Sequence, residues 1–420
     1  SILQPEWSSI GTLYFISDRS GWWNLYACDS ESTVAIFPSE SDAGGPSWNF
    51  GFSTYTFTSN KQCVLRNSDG TDGRFELLSE NGDLIITISV PYSDISYVSS
   101  DAKTVFFLGA GPSNAPEIVA LDLGSENLSV LKKSCDVEID EGYISIPKAI
   151  MFPTTDDGQA HAFYYAPRNS MFRPAEGELP PLMVVSHGGP TSASTPALSL
   201  SIQFWTSRGF GVVDVNYRGS TGYGRAYRNA LRENWGHYDT DDCVNAATFL
   251  VNQGVVDPNR VVIRGGSAGG YTTINALTFT DFFAAGATYY GIADLSIFVG
   301  DTHKFESRYL DSLVGAYPEF KQRYHDRSAI NFTDQLSCPM IIFQGLEDKI
   351  VPPSQAEVMV EALRRKQLPF GYLAFEGEQH GFRQAVNIER SLEAELYFYG
   401  KVLRFEPAGD IQPVDIENLP

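Results

Sequence analysis

At 420 residues the chain is long for one compact domain, and two domains are the natural expectation. Its formal net charge of −21 repels phosphate backbones and anionic headgroups, which argues against nucleic acid or membrane as a main partner. With 43% hydrophobic and 19% charged residues the composition is that of a folded globular protein, and no apolar run approaches the ~20 residues of a membrane span.

Cys28, Cys63, Cys135, Cys243 and Cys338 are widely spaced, odd in number and without a C-x-x-C pair. Neither a disulfide scaffold nor a zinc site is expected, and scattered reduced thiols fit the cytoplasm. No secretory leader is visible, and a start at Ser1 rather than Met fits a processed, nicked or trimmed product.

Residues 1 to about 140 are short apolar runs broken by turn residues. Three segments look alike, Trp7 to Phe15, Trp48 to Phe57 and Val98 to Phe107. Aligning Phe15, Phe57 and Phe107 gives steps of 42 and 50 residues, the period of a four-stranded propeller blade. About three blades cannot close a ring, so residues 1–140 are expected to be part of a larger β-propeller whose other blades lie outside this chain.

From about residue 141 the grammar changes to buried strands alternating with amphipathic helices, which predicts an α/β domain over 141–420 with a mostly parallel sheet. The expected strands are Leu182–Ser186, Gly211–Asn216, Val261–Arg264, Ala284–Tyr289, Met340–Gln344 and Tyr372–Phe375. Several are continuous apolar runs, as strands covered on both faces should be. Helices are expected over Asp241–Asn252, with Val244, Ala247, Thr248 and Val251 inward, over Ser354–Arg365, and from about Gln384 to Leu403.

Directly after Val261-Val262-Ile263 stands Arg264-Gly265-Gly266-Ser267-Ala268-Gly269-Gly270, which reads as strand, sharp turn and helix with a serine at the apex. Gly265, Ser267 and Gly269 fit the G-x-S-x-G elbow that lifts a hydroxyl above the end of a parallel sheet. A serine at its ordinary pKa is a poor nucleophile and needs a base, itself oriented by an acid; in such elbows the chain order is serine, acid, histidine. Of the six histidines only His303, His325 and His380 follow Ser267, and only His380 sits just past a predicted strand end. His303 and His325 read as surface or lid residues. The turn Gly345-Leu346-Glu347-Asp348 offers two carboxylates, of which Asp348 is the expected acid, its short side chain walled by Ile350-Val351-Pro352. The backbone N–H of Ala268 and that of Gly189, in the loop Ser186-His187-Gly188-Gly189-Pro190, are the expected oxyanion donors. His187 is expected to orient that loop, and Arg218 to make a structural salt bridge.

With this order of residues, and with Asn216-Tyr217-Arg218-Gly219-Ser220-Thr221-Gly222-Tyr223-Gly224, Trp235-Gly236 and Val256-Asp257-Pro258-Asn259-Arg260, the chain resembles the prolyl oligopeptidase family of serine peptidases. It is most similar to the acylaminoacyl-peptidase and dipeptidyl-peptidase-like branch. The resemblance implies an α/β-hydrolase domain capped by a propeller, acting on short peptides, with no metal or organic cofactor. A carboxylesterase or small-amide hydrolase with the same triad, and a non-catalytic propeller interaction protein, are the alternatives. A homo-oligomer and the remaining propeller segment of the same precursor are further candidate partners. Tyr289, Tyr290 and Ile292 follow a strand end and are candidates to line an apolar S1 pocket. In Phe305-Glu306-Ser307-Arg308-Tyr309, Glu306 is a candidate for holding a substrate amine and Arg308 a carbonyl or carboxylate, against a plain helix-surface ion pair.

Overall fold

The computed structural model describes residues 1–419 apart from 47, 69–72, 80, 102, 302, 303 and 305, together with the backbone alone of residue 301. His303 and Phe305 therefore lie outside the described residues. The chain divides into two compact units. The first comprises Ser1–Pro147 with Thr195–Leu200 and Ser220–Asn229; the second comprises Lys148–Ser194, Ser201–Gly219 and Ala230–Pro420. No helix among the described residues is long and apolar enough to cross a membrane.

The first unit is a partial β-propeller of three four-stranded antiparallel blades. The blades are β1 (Ile2–Trp7), β2 (Leu13–Ser17), β3 (Asn24–Cys28), β4 (Thr33–Ala35); β5 (Tyr55–Phe57), β6 (Cys63–Ser68), β7 (Gly73–Leu78), β8 (Leu84–Val90); and β9 (Asp94–Ser100), β10 (Thr104–Gly111), β11 (Asn114–Asp122), β12 (Leu128–Lys133). Alternating side chains zip neighbouring blades together. Ile16, Trp23 and Leu25 meet Tyr55, Cys63 and Leu65, while Phe75, Leu77 and Ile88 meet Val98, Val105 and Phe107. The repeat is real, but its second copy is offset from the expected alignment: Phe57 ends the first strand of its blade, whereas Phe15 and Phe107 lie in second strands. The equivalent residues are Tyr14, Val64 and Val105, each second in its strand and each buried. The aromatic stretch around Trp48 mimics the turn that Thr58 to Gln62 in fact makes, closed by the Thr58 N–H on the Gln62 carbonyl.

The second unit is a three-layer sandwich around one eight-stranded sheet. Its strands are β13 (Lys148–Pro153), β14 (Gln159–Tyr165), β15 (Leu182–Ser186), β16 (Gly211–Asn216), β17 (Val261–Gly266), β18 (Ala285–Tyr289), β19 (Met340–Gly345) and β20 (Phe370–Phe375), in the order β13-β14-β16-β15-β17-β18-β19-β20. The last six are parallel to one another; β13 and β14, which the sequence reading did not include, add an antiparallel edge. Among the described residues the α-helices are α1 (Leu200–Thr206), α2 (Gly224–Asn229), α3 (Tyr238–Asn252), α4 (Ala268–Phe279), α5 (Leu295–Asp301), α6 (Tyr309–Leu313), α7 (Lys321–Asp326), α8 (Ser354–Lys366) and α9 (Ala385–Leu403). Successive strand residues point to opposite faces: Leu182, Val184, Val261 and Ile263 pack with α3, α4 and α8, and Met183, Val262, Ile341 and Phe343 with α1 and α9.

Helix α3 differs from expectation by about one position. Its buried stripe is Cys243, Ala246, Ala247 and Leu250, and it begins at Tyr238. The reason is polar. Asp239 and Asp242 point inward, Asp239 to the Gly236 N–H and the Thr272 hydroxyl, Asp242 to Arg218, and these bonds outweigh the apolar pattern of the later turns.

Candidate active site

Ser267 stands between β17 and α4 at φ 56°, ψ −121°, a region that costs a non-glycine residue free energy and persists only where the surroundings hold it. Those surroundings are backbone. The Ser267 N–H donates to the Tyr289 carbonyl at 3.0 Å, and α4 passes so close to the end of β15 that a Cβ on Gly269 would stand 2.0 Å from the Ser186 oxygen. The strain turns the hydroxyl up and out of the sheet end.

Three loops meet there. Asp348 follows β19, and its buried Oδ1 accepts the N–H groups of Ile350 (2.8 Å) and Val351 (2.9 Å). Its Oδ2 lies 2.8 Å from His380 Nδ1, and His380 Nε2 lies 2.9 Å from Ser267 Oγ. An ionised carboxylate only accepts, so Nδ1 carries the proton and Nε2 presents its lone pair to the serine hydroxyl.

The loop carrying His380 is fixed by a residue the sequence reading passed over. Buried Glu378 accepts the backbone N–H groups of Arg383 and Gln384 and the Asn387 amide, each at 2.9 Å. Burial alone would raise its carboxyl, but those three donors and the Arg383 charge hold it below the usual carboxylate range. The Glu378 carbonyl in turn takes the Glu347 N–H at 2.9 Å, tying the histidine loop to the acid's turn.

On the other side of Ser267 runs the loop after β15. A Cβ on Gly188 would stand 3.5 Å from Ser267 Cβ, so this backbone passes directly beside the serine. Gly189 has φ +120°, which favours glycine. His187 lies flat on the Tyr217 ring at 4.3 Å, and burial lowers its pKa to about 4, leaving it neutral. The Ala268 N–H is the first of α4 and has no carbonyl of its own helix to pair with.

Residues 196–406 match the prolyl oligopeptidase family, half of the chain. It belongs to that family. Over 99% of its length it superimposes with a TM-score of 0.96 on a puromycin-hydrolyzing peptidase of Mycobacterium tuberculosis, at 42% identity, covering 64% of that protein. A puromycin hydrolase matches with a TM-score of 0.93 and 38% identity, over 99% of this chain and 63% of its own. The dipeptidyl aminopeptidase BIII of Pseudoxanthomonas mexicana is 33% identical over 213 residues, 49% of this chain and 31% of that protein. The chain thus spans under two thirds of each of these relatives.

Within this prolyl oligopeptidase family chain, the candidate specificity residues fare differently from one another. Tyr289 is corrected to the core. Its ring stacks on Phe343 at 4.4 Å and its hydroxyl donates to Glu395 of α9 at 2.6 Å, so the side chain does not line an S1 pocket. Ile292 is buried in the opposite layer. Tyr290 instead stands edge-on to His380, 4.8 Å between rings, with Phe382 at 5.5 Å. Arg308 is highly exposed and pairs with Asp311 at 3.0 Å, the plain helix-surface ion pair that was the alternative to a substrate contact. Glu306 is half-buried and next in sequence but two to Tyr309, whose hydroxyl reaches the loop beside Ser267. Arg218 makes a buried pair with Asp242 at 2.8 Å under the Tyr238 ring, and His325 sits exposed on α7 beside Asp326. Glu378, Tyr217 and Tyr309 were not singled out in the sequence. Glu378 shares the histidine's own loop, and Tyr217 follows a buried strand directly; both positions were visible, although their hydrogen-bond partners were not.

Proposed function

We propose that this chain carries a serine peptidase site that hydrolyses short peptides through an acyl-enzyme on Ser267. The observation that carries the reading is the unbroken run from Asp348 Oδ2 through the His380 ring to Ser267 Oγ, at 2.8 and 2.9 Å. As Oγ bonds to the scissile carbonyl carbon, its proton passes to His380 Nε2, and Asp348 stabilises the imidazolium without itself taking a proton. The carbonyl oxygen becomes an oxyanion that accepts from the Ala268 and Gly189 N–H groups. Each such donor contributes roughly 10²–10³ in kcat. Collapse breaks the C–N bond, and Nε2–H protonates the leaving amine. Water then repeats the sequence: its proton goes to Nε2, its oxygen to the ester carbon, and Oγ leaves with the proton.

The substrate class rests on the relatives, whose names are dipeptidyl aminopeptidase and puromycin hydrolase. Because the chain spans only part of them, the substrates of the whole protein belong to the proposal. Tyr290 is our choice for the wall nearest the reacting carbonyl, with Glu306 for a substrate amine. A fluorophosphonate probe should label wild type and spare Ser267→Ala. Peptide anilides with free and blocked N-termini should then turn over. An unlabelled wild type overturns the site, and hydrolysis of short acyl esters with anilides untouched overturns the peptidase reading in favour of an esterase.

A further inference from the structure

The oxyanion donor on the loop after β15 is a backbone N–H, and a backbone N–H points wherever its two flanking peptide planes are held. The plane containing the Gly189 N–H also contains the Gly188 carbonyl, which accepts from His187 Nδ1 at 2.8 Å. The next plane contains the Gly189 carbonyl, which accepts from the Tyr309 hydroxyl at 3.0 Å. That hydroxyl has one hydrogen and gives it to Gly189, so the Thr191 hydroxyl at 2.6 Å and the Thr191 N–H at 3.2 Å both donate to the Tyr309 oxygen. Tyr309 opens α6, in a part of the chain far from β15, and its ring packs on the layer beneath the sheet. Burial raises its pKa, so the hydroxyl keeps its proton and stays a donor at neutral pH. Glycine has no side chain to bias its φ, and at Gly189 φ is +120°; the conformation is therefore set from outside the residue.

We infer that Tyr309 is a positioning residue for the oxyanion site: its hydroxyl, by holding the Gly189 carbonyl, aims the Gly189 N–H at the developing charge. This rests on the serine peptidase reading above. It touches neither substrate nor the reacting atoms, so its loss should weaken transition-state binding while leaving ground-state binding alone.

Tyr309→Phe removes the one oxygen and keeps the ring. On a peptide anilide kcat should fall roughly 10–100-fold with KM within about twofold, because a misaimed donor costs less than a deleted one. Inhibition by a peptide aldehyde, which forms an oxyanion on Ser267, should weaken in parallel, while a cleaved-product inhibitor should bind as to wild type. A purely structural hydroxyl would lower Tm and leave kcat and the aldehyde unchanged, and that result overturns the proposal. Should Tyr309→Phe not fold, Thr191→Val carries the test by freeing the Tyr309 oxygen from one of its donors; kcat should fall by about 2–5-fold at constant KM, and an unchanged kcat overturns the proposal. If wild type itself resists the fluorophosphonate label, the peptidase reading fails and this proposal with it. A labelled wild type with fully active Tyr309→Phe overturns this proposal alone.

Discussion

On one side of Ser267 the proposed working atoms belong to side chains, His380 and Asp348, whose contacts are short and specific to those residue types. On the other side the proposed donors belong to the backbone at Gly189 and Ala268, and the side chains of His187, Tyr217 and Tyr309 hydrogen-bond to the backbone of that loop. The two sides fail in different ways. A side-chain relay loses its chemistry with one substitution and leaves the fold untouched. A backbone site tolerates changes in chemistry but is undone by changes in shape.

The comparison is sharpest where the expected losses are largest. Ser267→Ala should lower kcat by about 10⁴–10⁶, because the relay acts as a unit, with thermal unfolding unchanged. Asp348→Asn should cost about 10⁴ in kcat with the fold intact, since an amide donates where Nδ1–H needs an acceptor and the ring loses its working tautomer. A variant within tenfold of wild type would show that Asp348 does not orient His380. Gly269→Ala attacks the other side by shape alone. Its methyl would sit 2.0 Å from the Ser186 oxygen, immediately before the oxyanion loop, and backbone cannot yield as a side-chain tip can. The expected cost is on the order of 3 kcal/mol or more, seen as a fall in Tm or in folded yield. A stable Gly269→Ala would mean that strand and helix stand further apart than they do here.

The same division decides what the sequence discloses. The meeting of Ser267, Asp348 and His380 could be anticipated because the proposed nucleophile, acid and base have few permitted residue types and are expected at strand ends in a set order. The parallel strands are legible because burial on both faces leaves continuous apolar runs, and Leu182–Ser186 and Gly211–Asn216 run to the expected bounds. That very continuity hides orientation. With no polar alternation, nothing along β18 tells that Tyr289 turns to Glu395 on α9, or that Tyr290, one residue on, stands against His380. The propeller period is legible as a spacing, yet the aromatic stretch at Trp48 is as turn-like in composition as the true turn at Thr58, and only strand pairing separates the two. Tyr309 is the extreme case, since its role depends on a contact with a loop 120 residues earlier.

The smallest effect tests the shape side through pH. His187 is held neutral by burial, with its pKa lowered from 6.5 to about 4, and its Nδ1 lies 2.8 Å from the Gly188 carbonyl and 3.3 Å from the Tyr217 hydroxyl. In the unfolded chain the imidazole regains its ordinary value, so between pH 6.5 and 4 the unfolded state binds a proton that the folded state refuses. The stability that His187 contributes is therefore complete above pH 6.5 and is lost as pH falls through 4. Asp239, raised by burial to about 6, titrates with the opposite sign: its cost to the folded state grows as pH rises from 3.8 through 6. Only a difference between variants isolates the histidine. Urea unfolding of wild type and His187→Gln at pH 6.5 and 4.5 should show the wild type losing more stability, by at most about 1.4 kcal/mol per pH unit, the worth of one proton. Parallel losses would mean that the ring is solvated in the folded state, and that the Gly188–Gly189 peptide is held by something other than a buried, neutral imidazole.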